Sequence, residues 1–366
     1  MTGSLRVALV SSARWSSFRL SKHFVALALA NLGHDVLYVE PPVSPLSLVR
    51  HRQRWADLRH PRDEQVQDRL WVWGPRVLPG QNSAAGQRAN AVFLARGVRS
   101  RLGRPDVVIA FSLEARGVVA ALDEPTVYHC TDSQEDLPGI AVEAAQRRER
   151  ELCRLSQGVA ACSLPLTQQL VGRGVEAAYI PHGCDAEFAG ATARAEFLAG
   201  PRPWVGFIGS VNFRLDADLL ARTAASHPGT TFVVGARFGG APEPGLRSAL
   251  AHPRLVALGQ QPPSSLPGLM ASLDVGVVPY REIPFNRKSF PIKIPQHLAT
   301  GVPVVSTANG ATDEFGGLTH LASVGDWEDV MEKALALNGS GAAERREAGG
   351  RRSWEQVAQE LLGLVT

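Results

Sequence analysis

The sequence has few cysteines, no long apolar run and no large excess of charge of one sign. Its 366 residues include only four cysteines: Cys130, Cys153, Cys162 and Cys184. None of them forms a C-x-x-C pair, which argues against a zinc site and against a disulfide framework. No stretch approaches the roughly 20 apolar residues of a membrane span, and the first residues lack the long apolar segment of a signal peptide. We therefore expect a cytoplasmic protein with reduced thiols.

Charge and composition exclude further classes of protein. Forty-five per cent of the residues are apolar and 20% are charged, which excludes a disordered, collagen-like or coiled-coil chain. The net charge is +3; residues 1–183 carry 22 basic and 17 acidic side chains, and residues 184–366 carry 16 and 18. This excess is small, and no basic run is interleaved with aromatic residues. No nucleic-acid partner is therefore predicted.

Short apolar segments alternate with segments of helical periodicity. The strands are predicted at Leu5–Val10, Val36–Val39, Val107–Ala110, Thr126–Tyr128, Val159–Cys162, Ala177–Ile180, Trp204–Ile208, Thr231–Val234, Leu255–Ala257, Val275–Val278 and Val304–Ser306. A linker rich in Ala, Gly and Pro, Gly190–Pro203, divides this series into two parts. Because continuous apolar strands separated by helices are typical of parallel sheets covered on both faces, the sequence predicts two successive α/β units.

In parallel sheets, ligands bind at the loops that follow the strands. The first such loop contains Ser12, Arg14 and Trp15 and is not a G-x-G-x-x-G motif, so a dehydrogenase is not supported. It could hold an acceptor or an anion, or it could be a plain polar turn. Glu114, after another strand, is a weaker candidate of the same kind.

Two loops of the second half combine small and basic residues. Gly209, Ser210 and Arg214 follow the first strand of that half, where a phosphate could approach the backbone and Arg214 could bind its oxygens. After the strand that ends at Pro279 and Tyr280, a helix is predicted to begin near Ser289 and to carry Lys293. Each loop alone is equally compatible with a turn bearing solvated basic residues.

The combination of these segments resembles a known family. The motifs are Asp274…Pro279-Tyr280, then P-x-K-x-x-Q-x-L-A-x-G-x-P-V-V from Pro291, and the upstream Y-I-P-H-G-C-D that ends at Asp185. They are similar to the signatures of GT-B glycosyltransferases of family 4 (group 1), which act in cell-envelope polysaccharide and natural-product biosynthesis.

The resemblance implies an architecture for the whole chain. It would be an α/β protein of two Rossmann-like parallel-sheet domains facing across a cleft, with a C-terminal helix crossing back to the first domain. The corresponding division is an acceptor-binding domain over residues 1–185, a nucleotide-sugar-binding domain over 186–345 and the returning helix within 346–366.

The resemblance also implies roles for residues in the second domain. The donor diphosphate and sugar would be bound by Gly209, Ser210, Arg214, Asn286, Ser289 and Lys293, and the nucleoside by Pro279, Tyr280 and Gln296. Family members usually carry glutamates where this chain has Lys288 and Gln296. Because an amide binds a ribose hydroxyl more weakly than a carboxylate does, we expect tolerance of a deoxyribose donor such as a dTDP-sugar, beside UDP- or GDP-sugars.

The implied reaction is transfer of a sugar from a nucleoside diphosphate to a hydroxyl acceptor. His129 and Asp132, after a strand of the first domain, would take a proton or orient the sugar, although His129 could be a core histidine and Asp132 a turn cap. Ser12, Arg14, Trp15 and Glu114 would lie on the acceptor side. Since Arg214 and Lys293 could stabilise the leaving diphosphate, no metal or other cofactor is predicted, and the family suggests retention of anomeric configuration.

Two other functions are compatible with the same sequence. A sugar-nucleotide epimerase of this fold would bind the donor without an acceptor, although the donor loops carry few acidic residues. A non-catalytic partner of another transferase would bind the donor only. The segment Pro41–Arg69, rich in Arg, His and Pro, is an acceptor lid, a weak contact with anionic lipid at the inner membrane face, or a solvated loop.

Overall fold

The chain folds as two units. In this computed structural model residues 3–16, 19–43, 63–77, 83–193, 198, 200–238, 251 and 255–365 are described. Unit 1 comprises Met1–Cys162, Leu166–Pro181 and Trp354–Thr366, and unit 2 comprises Ser163–Pro165 and His182–Ser353. The sequence places the boundaries after residues 185 and 345, whereas the units divide after 181 and 353, apart from the short segment 163–165.

Unit 1 is built on an eight-stranded sheet. Its strands are β1 (Arg6–Val10), β2 (Asp35–Val39), β3 (Asp63–Gln67), β4 (Leu70–Trp73), β5 (Val107–Ala110), β6 (Thr126–Cys130), β7 (Gly158–Ala161) and β8 (Ala178–Tyr179). They lie in the order β3-β4-β2-β1-β5-β6-β7-β8. All pairs are parallel except β3–β4. The chain order therefore reverses between β1 and β5, which is where ligands bind in open α/β sheets.

In the described part of the first 171 residues, five helices accompany these strands. They are α1 (Ser21–Asn31), α2 (Ala84–Leu102), α3 (Arg116–Leu122), α4 (Val142–Leu155) and α5 (Leu164–Val171). Single 3₁₀ turns lie at Leu113–Ala115 and Gln134–Asp136. Strands β5 and β7 are buried along their whole length. This burial on both faces explains why these strands read as continuous apolar runs.

Unit 2 has a second, six-stranded parallel sheet. Its strands are β9 (Trp204–Val211), β10 (Thr231–Phe238), β11 (Leu255–Ala257), β12 (Val275–Val278), β13 (Val304–Ser306) and β14 (Thr319–Leu321), in the order β11-β10-β9-β12-β13-β14. The predicted fold class, two parallel-sheet α/β units, is confirmed. In this sheet the chain order reverses between β9 and β12, so the loops after these two strands lie at the expected ligand edge.

The remaining helices follow in chain order. They are α6 (Ala186–Ala189), α7 (Ala217–Ser226), α8 (Leu266–Ala271), α9 (Pro284–Lys288), α10 (Lys293–Ala299), α11 (Thr312–Phe315), α12 (Trp327–Ala336), α13 (Ala342–Gly350) and α14 (Trp354–Gly363). Further 3₁₀ turns lie at Pro263–Ser265 and Gly316–Leu318. Of these helices, α14 belongs to unit 1: the ring of Trp354 stacks on Phe24 of α1 at a centroid distance of 5.1 Å.

The sequence pattern does not predict α2, β3 or β4. In the 19-residue helix α2 only Asn90, Ala95 and Val98 are buried, so its apolar face is too narrow to stand out. The helix also contains Gly97, where a Cβ would overlap the indole of Trp73 in β4. This close approach of a glycine to a tryptophan depends on tertiary packing and leaves no periodic signal.

The proposed lid or lipid-contact segment Pro41–Arg69 is described only in part. Its last residues form β3, a mainly exposed edge strand that pairs with β4. Residues 44–62 lie outside the described residues, and the lid and lipid interpretations depend on them. No helix in the parts of the chain that the structure describes combines the length and apolar character of a membrane span.

The packing of unit 2 includes a buried, neutral histidine. His297 on α10 lies against β12, where a Cβ at Gly276 would come within 2.7 Å of its ring. The side chain is 1% exposed, and neither ring nitrogen has a hydrogen-bond partner among the described residues. Burial, with a smaller contribution from the charge of Lys293, lowers the pKa of His297 to about 3. The folded protein therefore keeps this ring uncharged at neutral pH.

Acid should destabilise the protein through His297. The unfolded chain gains a proton here below about pH 6.5, whereas the folded protein gains it only near pH 3. Between these values the free energy of unfolding falls by up to about 1.4 kcal/mol per pH unit. Urea unfolding at pH 7 and pH 4.5 should show an acid loss of stability roughly 2 to 3 kcal/mol smaller in His297→Met than in the wild type. Equal losses in the two proteins would contradict this account.

Candidate functional site

The loop after β9 brings a basic residue to the edge of the unit 2 sheet. The sequence places Gly209 and Ser210 in this loop, but both lie in β9, which continues to Val211. The prediction is wrong because β9 pairs with β10 along its full length, so these two residues continue the strand although glycine and serine are typical of turns. The loop begins at Asn212, whose Oδ1 accepts a hydrogen bond from the Arg214 backbone N–H at 3.1 Å.

The end of this loop caps α7. Asp216 is the N-cap residue, and its Oδ1 accepts from the backbone N–H of Leu219 at 2.8 Å. Its own N–H donates to the carbonyl of Pro279, which connects the loop after β9 to the end of β12. The role of Asp216 is therefore structural.

Arg214 is held in place by hydrogen bonds and by aromatic rings. Its Nε donates to Asn286 Oδ1 at 3.0 Å and an Nη to Ser289 Oγ at 2.6 Å. The guanidinium also lies over the ring of Tyr280, with Cζ 4.5 Å from the centroid, and 5.3 Å from that of Phe285. These contacts fix a planar cation by its edge and by its face. The side chain is thus preorganised for a two-pronged contact with an oxyanion.

Asn286 and Ser289 act through Arg214. Asn286 is fully buried, and its Nδ2 donates to the carbonyls of Arg214 and Arg281 while its Oδ1 accepts from Arg214. The Ser289 hydroxyl accepts from Arg214 and donates to the carbonyl of Asn286. The sequence predicts direct contacts of these two side chains with the ligand. In the structure both side chains bond the Arg214 side chain as well as backbone carbonyls, so they hold Arg214 in place, and their direct contact with a ligand stays a prediction.

Lys293 lies beside Arg214. It is the first residue of α10; the sequence predicts the start of this helix near Ser289, but Ser289 is instead the C-cap of α9. The Lys293 side chain is 9% exposed and passes over Gly209, where a Cβ would overlap its Cε. Gly209 is thus required for the space that Lys293 occupies, a role that the sequence does not reveal.

The two cations affect each other and Tyr280. Burial lowers the pKa of Lys293, and the positive charge of Arg214 lowers it further. Tyr280 acts in the opposite direction, but the pKa of Lys293 remains below its usual value. Burial raises the pKa of the Tyr280 phenol, but Arg214 and Lys293 outweigh it, so this pKa is lowered. Both effects require positive charges close together in a desolvated place. An anion bound here would relieve the repulsion between them.

The predicted nucleoside residues occupy the same region. Tyr280 is 4% exposed, and its backbone N–H and C=O both bond the hydroxyl of Thr307, which follows β13. Gln296 lies on α10, three residues after Lys293, and is 7% exposed. Pro279 contributes a carbonyl to the loop after β9. Thr307 is not among the predicted site residues, although its hydroxyl directly follows a strand of the parallel sheet, which is a recognisable signal in the sequence.

In unit 1, Arg14 and Trp15 belong to a network at the ends of β1 and β2. The backbone N–H of Trp15 donates to Glu40 Oε1 at 2.8 Å, and Arg14 lies 3.7 Å from the other oxygen of this buried carboxylate. Trp15 also packs edge-on against Tyr38 at 5.1 Å. The loop after β1 is therefore held by specific contacts and is not a solvated polar turn.

A buried histidine supports this loop from α1. His23 Nδ1 accepts from the backbone N–H of Leu20 at 3.0 Å, so Nε2 carries the proton and donates to the carbonyl of Arg14 at 3.0 Å. Burial is the main cause that lowers the pKa of His23 to about 4. The imidazole is neutral at pH 7 and acts as a fixed support for the loop.

The predicted catalytic residues lie at and after β6. His129 is fully buried in the strand, with its ring 5.2 Å from that of Phe111. Asp132 follows the strand and is partly exposed, and its Oδ2 accepts a 3.4 Å hydrogen bond from Thr131. Glu114 is 64% exposed and pairs with Arg148 at 2.7 Å. This surface ion pair gives Glu114 a local partner and no special environment.

The sequence analysis also missed a buried lysine. Lys22, in the first turn of α1, is 4% exposed and donates to Ser12 Oγ at 2.8 Å. In the sequence Lys22 lies next to His23 in a helix, and this position does not indicate that the lysine is buried. Within the described ranges no group of three or more His, Cys, Asp or Glu side chains could hold a metal ion.

Part of the chain matches a family of known proteins. Residues 202–338 match the family model described as Glycosyl transferases group 1. Over 111 residues the chain is 31% identical to TuaH of Bacillus subtilis strain 168, which carries a provisional name as a teichuronic acid biosynthesis glycosyltransferase. This match covers 30% of the chain and 28% of the length of TuaH.

Solved structures match the chain over nearly its whole length. The sucrose-phosphate synthase from Thermosynechococcus elongatus has a TM-score of 0.72 at 16% identity, covering 98% of this chain and 97% of that one. A trehalose-6-phosphate protein from E. coli, bound with UDP-2-fluoro glucose, has a TM-score of 0.69 at 12% identity and covers 98% of both chains. At these identities the likeness shows the fold alone.

The Lys293 side chain occupies the space next to Gly209, so a side chain at position 209 should change the affinity of unit 2 for a diphosphate. We expect Gly209→Ala to displace Lys293 and to weaken the binding of inorganic pyrophosphate about tenfold, the effect of losing one charge-assisted hydrogen bond. Isothermal titration calorimetry measures the change. Gly229→Ala is the matched control, because a Cβ there meets nothing within 4 Å. Equal affinity in the two variants would show that Lys293 does not reach the anion.

Proposed function

We propose that this chain, whose residues 202–338 match the model of the group 1 glycosyl transferases and which has the GT-B fold, transfers a sugar from a nucleoside diphosphate sugar to a hydroxyl acceptor. The observation that carries the proposal is the pair of cations in unit 2. Arg214, which follows β9, is held by Asn286 and Ser289, and its charge acts on the buried Lys293 at the start of α10. The geometry supports a diphosphate site at this place.

The proposed chemistry follows from the charge that develops on the leaving group. Departure of a nucleoside diphosphate places negative charge on the pyrophosphate oxygens, and Arg214 is already oriented by Asn286 and Ser289 before the ligand arrives. Preorganised cations stabilise such charge without reorganisation during the reaction. We propose that these groups are sufficient without a divalent metal, and that the reaction retains the anomeric configuration, as in the family that the motifs resemble.

The donor nucleotide is proposed to bind next to Gln296 and Tyr280. The E. coli neighbour in the comparison was solved with a UDP sugar analogue, which favours a nucleotide donor of this class. In this chain the ribose would meet the amide of Gln296, 7% exposed on α10. A neutral amide distinguishes a ribose from a deoxyribose less sharply than a carboxylate does. We therefore propose that a dTDP-sugar is accepted beside UDP- or GDP-sugars.

Arg214→Gln tests the proposed function directly. We expect the release of nucleoside diphosphate from UDP-glucose, dTDP-glucose or GDP-mannose, with water and methyl glycosides as acceptors, to fall at least about 100-fold, the effect of losing one preorganised donor. Arg287→Gln, an exposed arginine on α9, is the control of equal charge change. The same rate is expected with and without EDTA.

The outcomes of this assay separate the alternatives. Equal release in Arg214→Gln and the control would contradict the proposed site. Conversion of the donor into an isomer without any acceptor would identify an epimerase. Donor binding by the wild type without release from any of the three donors would identify a non-catalytic binding partner.

The amide of Gln296 should discriminate only weakly between ribose and deoxyribose in the nucleotide. UDP and dUDP differ only in the ribose 2′-hydroxyl, and we expect the wild type to bind them within about threefold of each other. Gln296→Glu should restore a preference for UDP of roughly tenfold, since a charge-assisted hydrogen bond contributes about 1.5 kcal/mol or more. Calorimetric titration with both nucleotides measures it. A strong preference of the wild type for UDP would refute the role given to Gln296.

A further inference from the structure

Lys22 of unit 1 is a buried ammonium with unused hydrogen-bonding capacity. An ammonium has three N–H donors, and the one hydrogen bond of Lys22 within the described parts of the chain is to Ser12 Oγ. Only 4% of the side chain is exposed. Leaving buried donors of a charged group without acceptors is costly. A lysine in this state is therefore poised to take acceptor oxygens from a ligand.

The surroundings of Lys22 place it at the ligand edge of the sheet. Ser12 follows β1, and Asp132 follows β6, two positions away from β1 in the sheet order. The negative charge of Asp132 acts on Lys22 and opposes the lowering of the lysine pKa by burial. This places the two groups near the point where the chain order reverses between β1 and β5.

Lys22 and Asp132 do not form a direct ion pair. In the part of the chain that the structure describes, no ion pair joins them, although the charge of Asp132 acts on Lys22. Asp132 is itself partly exposed and accepts one 3.4 Å hydrogen bond, from Thr131. A donor and an acceptor of opposite charge thus face the same region without satisfying each other. One hydroxyl group can satisfy both, because its oxygen accepts a hydrogen bond from the ammonium while its O–H donates a hydrogen bond to the carboxylate.

The geometry points to Lys22, Ser12 and Asp132 as a subsite for a hydroxyl of a neutral sugar or other polyol, the acceptor in unit 1. This inference rests on the proposed function and names the acceptor class for it. A phosphorylated or carboxylated group fits less well, because Asp132 would repel a second anion beside it. The ammonium and the carboxylate together match a ligand that carries no net charge.

The small number of lysines makes the subsite directly observable. The chain has four: Lys22, Lys288, Lys293 and Lys333. Biosynthetic ¹³C,¹⁵N-lysine labelling of the full chain therefore gives four side-chain signals, which single Lys→Arg substitutions assign. UDP, the methyl α-glycosides of glucose, galactose and mannose, and inorganic phosphate serve as probes. We expect UDP to shift Lys293, and at least one methyl glycoside to shift Lys22 saturably while Lys333 stays unchanged.

Variants that preserve the fold sharpen the assignment. Ser12 is exposed and Asp132 partly exposed, so Ser12→Ala and Asp132→Asn should fold, and each should weaken the glycoside effect on Lys22 at least about fivefold. Ser16→Ala, an exposed serine of the same loop, is the matched control and should leave it unchanged.

The readouts distinguish this inference from the proposed function. A Lys22 signal that no glycoside moves, while UDP moves Lys293, would overturn the acceptor subsite and leave the donor site standing. A Lys22 signal moved by phosphate and by no glycoside would overturn the neutral class of ligand. A Lys293 signal that UDP leaves unchanged would count against the proposed function itself.

Discussion

The repulsion between the buried Lys293 and the partly buried Arg214 is the constraint on which the candidate donor site depends. Arg214 lies in the loop after β9 and Lys293 at the start of α10, and the charge of Arg214 acts on Lys293 where that lysine is largely shielded from water. The described hydrogen bonds of the Arg214 side chain go to an amide and a hydroxyl, which hold the guanidinium in place and leave its charge intact. Such an arrangement costs free energy in the absence of a ligand. That cost is the physical reason to expect an anion here, because an anion converts the repulsion into attraction.

The strands and the donor side of the site could be predicted from the sequence because their causes are local. Buried parallel strands are apolar along their length, so Val107–Ala110 and Val275–Val278 are predicted with the bounds that the structure shows. The loops after β9 and β12 meet because parallel strands place their carboxyl ends at one edge. The sequence could not predict that Asn286 bonds Arg214, since these hydrogen bonds form only when the two segments pack together in the folded protein.

The side of the molecule proposed to hold the acceptor was much less predictable. Burial of a lysine depends on what packs around it, and the sequence around Lys22 is equally compatible with a solvated residue at the start of a helix. The helix α2 was missed for the related reason that its buried face consists of three residues. In both cases the decisive information lies in contacts between segments that are distant in the sequence. A periodic pattern indicates which positions are apolar, but it does not indicate which polar residues are buried.

The distribution of charge shows why a count of basic residues is a poor guide to an anion site. Residues 1–183 hold the basic excess of the chain, yet arginines there pair with carboxylates, as Arg173 does with both Glu135 and Glu149. Such pairs cancel the field at a distance, so the excess contributes little at any one point. Unit 2 belongs to the half with more acidic than basic residues, but it places Arg214 and Lys293 side by side. Local arrangement decides where an anion binds, because Coulomb energy falls with distance and is largest where water is excluded.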